Sequence, residues 1–139
     1  TLKDGKKLKA KFLDNTPALK RLREVVSRAS EKEYLKALDG RRVLVRSQHA
    51  ALNFLLQSAG AIIAKRAWEI FHNMAEYEGF KYKQLGVIHD EIQLECRPED
   101  AEALGYLIID AMEATTEYYK LNCPITGTYK IGTTWNETH

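Results

Sequence analysis

The sequence predicts an α+β fold: a small antiparallel sheet centred on residues 85–96, backed by long helices and preceded by a basic helical part. Three observations lead there. Residues 87–96, VIHDEIQLEC, are two apolar-rich runs meeting at His89-Asp90-Glu91. Beyond that point Ile92, Leu94 and Cys96 alternate with Glu91, Gln93 and Glu95, the period of a strand with one packed and one wet face. From about His49 to Glu78, apolar residues recur at helical spacing without a breaker. A second helical stripe, running from Ala101 through Leu104, Leu107, Ile108, Ala111 and Met112 to Thr115, follows the sheet and suits its back.

At 139 residues the chain can bury a core of its own, and it shows no repeat or low-complexity tract. No apolar run approaches the ~20 residues a membrane-spanning helix needs, and no signal peptide is visible, so no membrane partner and a cytoplasmic location are expected. Cys96 and Cys123 are too few and too far apart for a disulfide framework or a zinc site and read as buried thiols. Charge is uneven. Residues 1–50 hold 14 Lys/Arg against 6 Asp/Glu, whereas residues 51–139 hold 7 against 13. The first part suits phosphate binding and the second carries groups able to hold cations, although a solvated helix surface explains the same numbers.

Taken in order, KDGKKLKAKFLDN places Leu8, Phe12 and Leu13 at helical spacing under a lysine-rich face. Thr16-Pro17 reads as a helix start, Thr16 as N-cap and Pro17 at the first helical position, where its missing N–H is harmless. Leu19, Leu22, Val25, Val26 and Ala29 form the stripe of that helix. In EYLKALDGRRVLVRS, Asp39-Gly40 separates two short apolar runs and predicts a hairpin, with Arg41, Arg42 and Arg46 beside it. His49, Asn53 and Gln57 then interrupt the long helix at i, i+4 and i+8, which sets them on one side. Amides both donate and accept hydrogen bonds, a property suited to the minor groove of a duplex; an exposed polar stripe is the plainer reading. Gly79 ends the helix, Leu85, Val87 and Ile88 read as a buried strand, and a reversal falls at His89-Asp90. Arg97-Pro98-Glu99-Asp100 opens the last long helix with acidic residues at the positive end of its dipole. Pro124 breaks it, and ITGTYKIGTTW reads as a strand or loop.

Two carboxylates on so short a bend repel each other and gain stability from a divalent cation, with oxygen-only ligands favouring Mg2+ or Mn2+. A bare His-Asp-Glu is more commonly a solvated acidic turn. GVIHDEIQLEC, however, resembles motif C of the family A, Pol I-like DNA polymerases, and it has company. Upstream GRRVLVRSQHAALNFLLQSAGAIIAKRAW and the ending TTWNETH are similar to the phage branch of that family, and the resemblance runs from about Gly5 to His139.

The resemblance implies a DNA-directed DNA polymerase working by two divalent ions, Mg2+ or Mn2+, on primer-template DNA and deoxynucleoside triphosphates. It casts Asp90 as a metal-bridging carboxylate, Glu91 as a weaker or indirect metal contributor and His89 as a positioner of the primer terminus. Asn53 and Gln57 would touch primer and template, with His49, Arg41, Arg42, Arg46 and His139 as further DNA contacts; His49 stands where cellular members commonly have arginine. Residues 1–33 would belong to the fingers side and 34–139 to the C-terminal part of the palm. The family's other metal-bridging Asp and its triphosphate-binding fingers helix precede the matched region. The chain is therefore expected to need the N-terminal part of the same polymerase, in cis or as a separate chain, and to be inactive alone. A divided gene, protein splicing or proteolysis would each account for Thr1 in first place, and His139 is expected to be the true C-terminus. A non-catalytic, polymerase-derived DNA-binding module is the other reading, one that would not depend on Asp90.

Overall fold

The computed structural model describes residues 1–139, apart from the side chain of Gln48. It contains two compact units, residues 1–59 and 60–139, with the boundary inside one long helix. The expected mixture of helices and small antiparallel sheets is what the structure shows.

In the first unit, α1 (Leu2–Asn15) is started by a capping box in which Thr1 and Asp4 satisfy each other's main-chain N–H groups. Its apolar residues stay largely outside: Leu2, Leu8 and Phe12 are exposed and only Leu13 is half-buried. Helix α2 (Pro17–Ala29) begins at Pro17 as expected, but Thr16 caps differently. Its hydroxyl donates to the Phe12 carbonyl at 2.7 Å, closing α1 rather than opening α2. The α2 stripe is buried at Val26 alone, with Leu22 and Val25 exposed. A 3-10 turn at Ser30–Lys32 leads to the hairpin of β1 (Tyr34–Lys36) and β2 (Arg42–Leu44). Leu35 pairs with Val43, and the small core comprises Val26, Leu35 and Ala51, flanked by Val45, Leu52 and Leu55.

The Asp39-Gly40 reversal lies where the sequence places it. Gly40 has φ +87° and its N–H donates to the Ala37 carbonyl at 3.0 Å. A Cβ there would meet nothing closer than Lys36 Cε at 3.5 Å, so the backbone angle alone makes glycine necessary. Gly40→Ala is expected to lower stability by about 1–2 kcal/mol, measurable as a reduced urea midpoint; an unchanged midpoint would show that the turn relaxes freely.

Helix α3 (Ala51–Tyr77) is preceded by a 3-10 turn at Gln48–Ala50. Its second half belongs to the second unit, where Phe71 and Ala75 meet Leu104 and Ala111 in a fully buried cluster. Gly79, at φ +78°, ends α3, and Phe80 returns a hydrogen bond to the Ala75 carbonyl at 2.9 Å. Strands β3 (Tyr82–Ile88) and β4 (Glu91–Cys96) form an antiparallel ribbon whose Tyr82, Leu94 and Cys96 pack on that cluster. Helix α4 (Ala101–Tyr118) follows a 3-10 turn at Pro98–Asp100 and buries Leu104, Ala111 and Thr115, as its stripe predicts.

Two sequence expectations need correction. Leu85 and Val87 are exposed, because only one face of the two-stranded ribbon is covered and register slips between Gln84 and Gly86, leaving Leu85 as a bulge. Cys96 is half-buried and Cys123 exposed, so the latter is not a core thiol. Residues 125–134, where the sequence allowed a strand or a loop, are a loop that runs along α4. Ile125 N–H donates to Thr116 Oγ1 at 2.8 Å, Thr126 Oγ1 donates to Glu113 at 3.0 Å, and the Tyr129 ring lies over Gly105. A Cβ on Gly105 would come within 2.5 Å of that ring. Gly105→Ala should therefore destabilise by about 1–3 kcal/mol, read by thermal unfolding, unless Tyr129 swings away at no cost.

Candidate active site

The site begins with local backbone. Strands β3 and β4 are joined by the two-residue turn His89-Asp90, with Ile88 paired to Glu91 across its neck. His89 has φ +56°, a left-handed conformation uncommon outside glycine, in a turn whose reversal demands it. Strain of this kind concentrates at functional positions. The turn projects Asp90 into solvent, and among the described residues no side chain is hydrogen-bonded or ion-paired to it. Asp90 is thus an exposed, unpaired carboxylate at the tip of a hairpin.

Glu91, the first residue of β4, sits in another environment. Its Oε1 accepts from the Gln93 side-chain amide, and its Oε2 from His139 Nδ1 at 2.9 Å. The Gln93 amide and then the His139 imidazole hold the Glu91 carboxyl below its ordinary range, with the Lys130 charge contributing. Glu91 is thus a charged, held carboxylate, whereas Asp90 is a charge in the open. His139 arrives there because α5 (Trp135–Thr138) is set by a second capping box, Thr134 with Glu137, and Thr138 Oγ1 donates to Gln93 Oε1 at 3.4 Å. Main-chain N–H groups of Thr133 and Thr134 hold the Glu137 carboxyl low as well.

Among the described residues no three His, Cys, Asp or Glu side chains converge as a closed metal site. The donor set does fit a hard divalent cation held in part by protein: one free carboxylate at Asp90, with the remaining positions open to phosphate or water oxygens.

The first unit carries the other candidates. Asn53 and Gln57 are exposed on α3, four residues apart and so on one side, with Gly60 next on that line and open space where its Cβ would be. Leu56, 55% exposed, lies beside them. His49 is exposed but lies in the 3-10 turn, outside the α-helical ladder. It does not extend the Asn53–Gln57 row by helical geometry, because α3 begins only at Ala51. Arg41 Nε pairs with Asp39 at 2.6 Å, Arg42 lies over the Tyr34 ring at 4.7 Å, and Arg46 is exposed.

Of the predicted residues, the structure sets His89, Asp90 and Glu91 on one hairpin, brings His139 against Glu91 from the end of α5, and adds Gln93, to which the sequence assigned no role. Its two-residue spacing from Glu91 was the available signal, since strand residues two apart share a face.

The chain is similar to known proteins. A family model described as DNA polymerase family A matches residues 1–137. The DNA-directed DNA polymerase of Enterobacteria phage T3 is 40% identical over 97% of this chain, and that of Escherichia phage T7 is 38% identical over the same share; each match covers 22% of the relative. Among solved structures, the POL domain of Pol1 from M. smegmatis in complex with DNA primer-template and dNTP is similar at a TM-score of 0.87. It shares 20% identity, and the match covers 99% of this chain and 26% of that one, a likeness of fold alone. The chain spans only about a fifth to a quarter of the length of these proteins. With the family model matching almost its whole length and two phage relatives close in sequence throughout, this chain belongs to DNA polymerase family A.

Proposed function

We propose that this chain is the C-terminal part of a DNA-directed DNA polymerase, supplying one carboxylate arm of a two-metal site and part of the primer-template grip. The single observation that carries the reading is the hairpin tip: Asp90 unpaired and exposed beside His89 held at φ +56°. The substrates are primer-template DNA and deoxynucleoside triphosphates. The primer 3′-hydroxyl attacks the α-phosphorus, loses its proton, and pyrophosphate departs.

Asp90 would hold Mg2+ or Mn2+ through its free oxygens, and Glu91 would support it from the adjoining strand. When bound, such ions supply the positive charge that favours the 3′-alkoxide and the leaving pyrophosphate. His89 would position the primer terminus. Asn53 and Gln57 offer amide donors and acceptors to the minor groove, where they test pair geometry without reading sequence. His49, Arg46, Arg41 and Arg42 would meet phosphates, Arg41 after exchanging Asp39 for one, and His139 would lie close to the primer end through its contact with Glu91. Residues 1–33 would serve on the fingers side and 34–139 in the palm.

A second bridging carboxylate and the triphosphate grip must come from the N-terminal part of the same polymerase, in cis or as a separate chain. No described helix is long and apolar enough to cross a membrane, and a phage enzyme of this kind would act in the host cytoplasm. Primer extension tests the reading. Synthesis by the complete polymerase should depend on Asp90, and the 139-residue chain alone should not extend a primer. Binding of primer-template unaffected by Asp90→Asn, in a complete protein that never extends it, would instead favour a non-catalytic DNA-binding module.

A further inference from the structure

Glu91 and Gln93 are two residues apart on β4, so their side chains leave the same face of the ribbon. Thr138 donates to Gln93 Oε1, which fixes the amide so that its Nε2 points to Glu91 Oε1. The carboxylate can only accept, so His139 Nδ1 carries the proton in the contact with Oε2. Lys130 Nζ meets the His139 main-chain oxygen at 3.3 Å. The segment that delivers these groups is itself anchored along α4 through Ile125, Thr126 and Tyr129. Its position is therefore set from two ends, by α4 and by the hairpin.

We propose that Gln93 and His139 are positioning residues for Glu91: Gln93 holds its Oε1 along β4, while its Oε2 on His139, beside the Thr138–Gln93 hydrogen bond, clasps the end of α5 to the hairpin and leaves Asp90 as the hairpin carboxylate open to a cation. The inference rests on the polymerase reading and adds a division of labour within the acidic pair. His139 is 69% exposed at its side chain, so the clasp can open without unfolding the core. Opening at His139 frees Glu91 Oε2 beside Asp90, with Oε1 still held by Gln93.

The test uses the complete polymerase carrying this sequence, as Gln93→Leu, His139→Ala, His139→Gln and the Gln93→Leu/His139→Ala double variant. Hydrogen exchange of amides in residues 130–139 is measured without DNA or divalent cation, and primer extension is titrated with Mg2+. Losing a charge-assisted hydrogen bond should raise exchange about tenfold in Gln93→Leu and in His139→Ala. The double variant should exceed neither by much, because both act on one clasp. His139→Gln, which keeps a donor, should fall between wild type and His139→Ala, and the double variant should shift the half-saturating Mg2+ concentration several-fold. Unchanged exchange in Gln93→Leu, or an unchanged Mg2+ midpoint in the double variant, overturns the proposal. Asp90→Asn run in parallel separates the two claims: if it still extends primers, the polymerase reading fails; if it does not and the tail is indifferent to Gln93, only the clasp fails.

Discussion

Asp90→Ala is expected to lower the primer-extension rate of the complete polymerase by about 10³-fold or more while leaving its affinity for primer-template within a few-fold. Removing a carboxylate that holds a catalytic cation forfeits several kcal/mol of transition-state charge stabilisation, and each 1.36 kcal/mol is about tenfold in rate. The folded state should not suffer, because Asp90 is exposed and no described side chain depends on it. Its loss removes a charge and breaks no contact. Single-turnover extension, with DNA affinity from fluorescence anisotropy and a melting curve for each variant, checks all three parts. A loss of tenfold or less would mean that Asp90 does not ligate the ion. A lowered melting temperature would mean that the turn has a structural role not evident from its exposure.

Phe71→Ala should have the largest effect on stability, about 3–5 kcal/mol, a large fraction of what holds a domain of this size together. Phe71 is 0% exposed and its ring stands 5.2 Å from Trp68 and 5.1 Å from Tyr82, at the junction of α3 and the ribbon. Deleting it removes the transfer energy of the ring and leaves a hole between elements that are already mutually braced. Phe71→Leu, which refills most of the volume, should recover over half of the loss. Urea unfolding followed by far-UV circular dichroism measures both, and equal midpoints for the two variants would contradict the cavity argument. Because Tyr82 opens the strand that ends in the His89-Asp90 turn, Phe71→Ala should also reduce extension under conditions where the protein stays folded.

Much of this was legible in the residues. The period of two after His89 located β4, the positive-φ capacity of Gly40 and Gly79 located a turn and a helix end, and stripes at helical spacing located α3 and α4. What failed were statements about cover. Leu85 and Val87 carry the composition of a buried strand, yet burial needs a second layer on that face and a register without a bulge, and neither is written in the hydrophobic pattern. Leu8 and Phe12 mark an apolar face correctly, but a stripe says only that a face is apolar, not what covers it. Thr16 is a sound N-cap by type, and its hydroxyl chose the neighbouring carbonyl because two helices meet within one residue.

The acidic pair divides in the same way. By itself the sequence determined that His89, Asp90 and Glu91 fall at a strand reversal, since adjacent residues and strand periodicity are local properties. Only the tertiary structure decided that the two carboxylates differ: Asp90 stands free, while Glu91 is held by Gln93 and by His139, 48 residues further along the chain. The physical reason is separation along the backbone. Local pattern governs which way a side chain leaves its strand, but a partner so distant arrives only when the α4 helix and the segment folded along it have set its path.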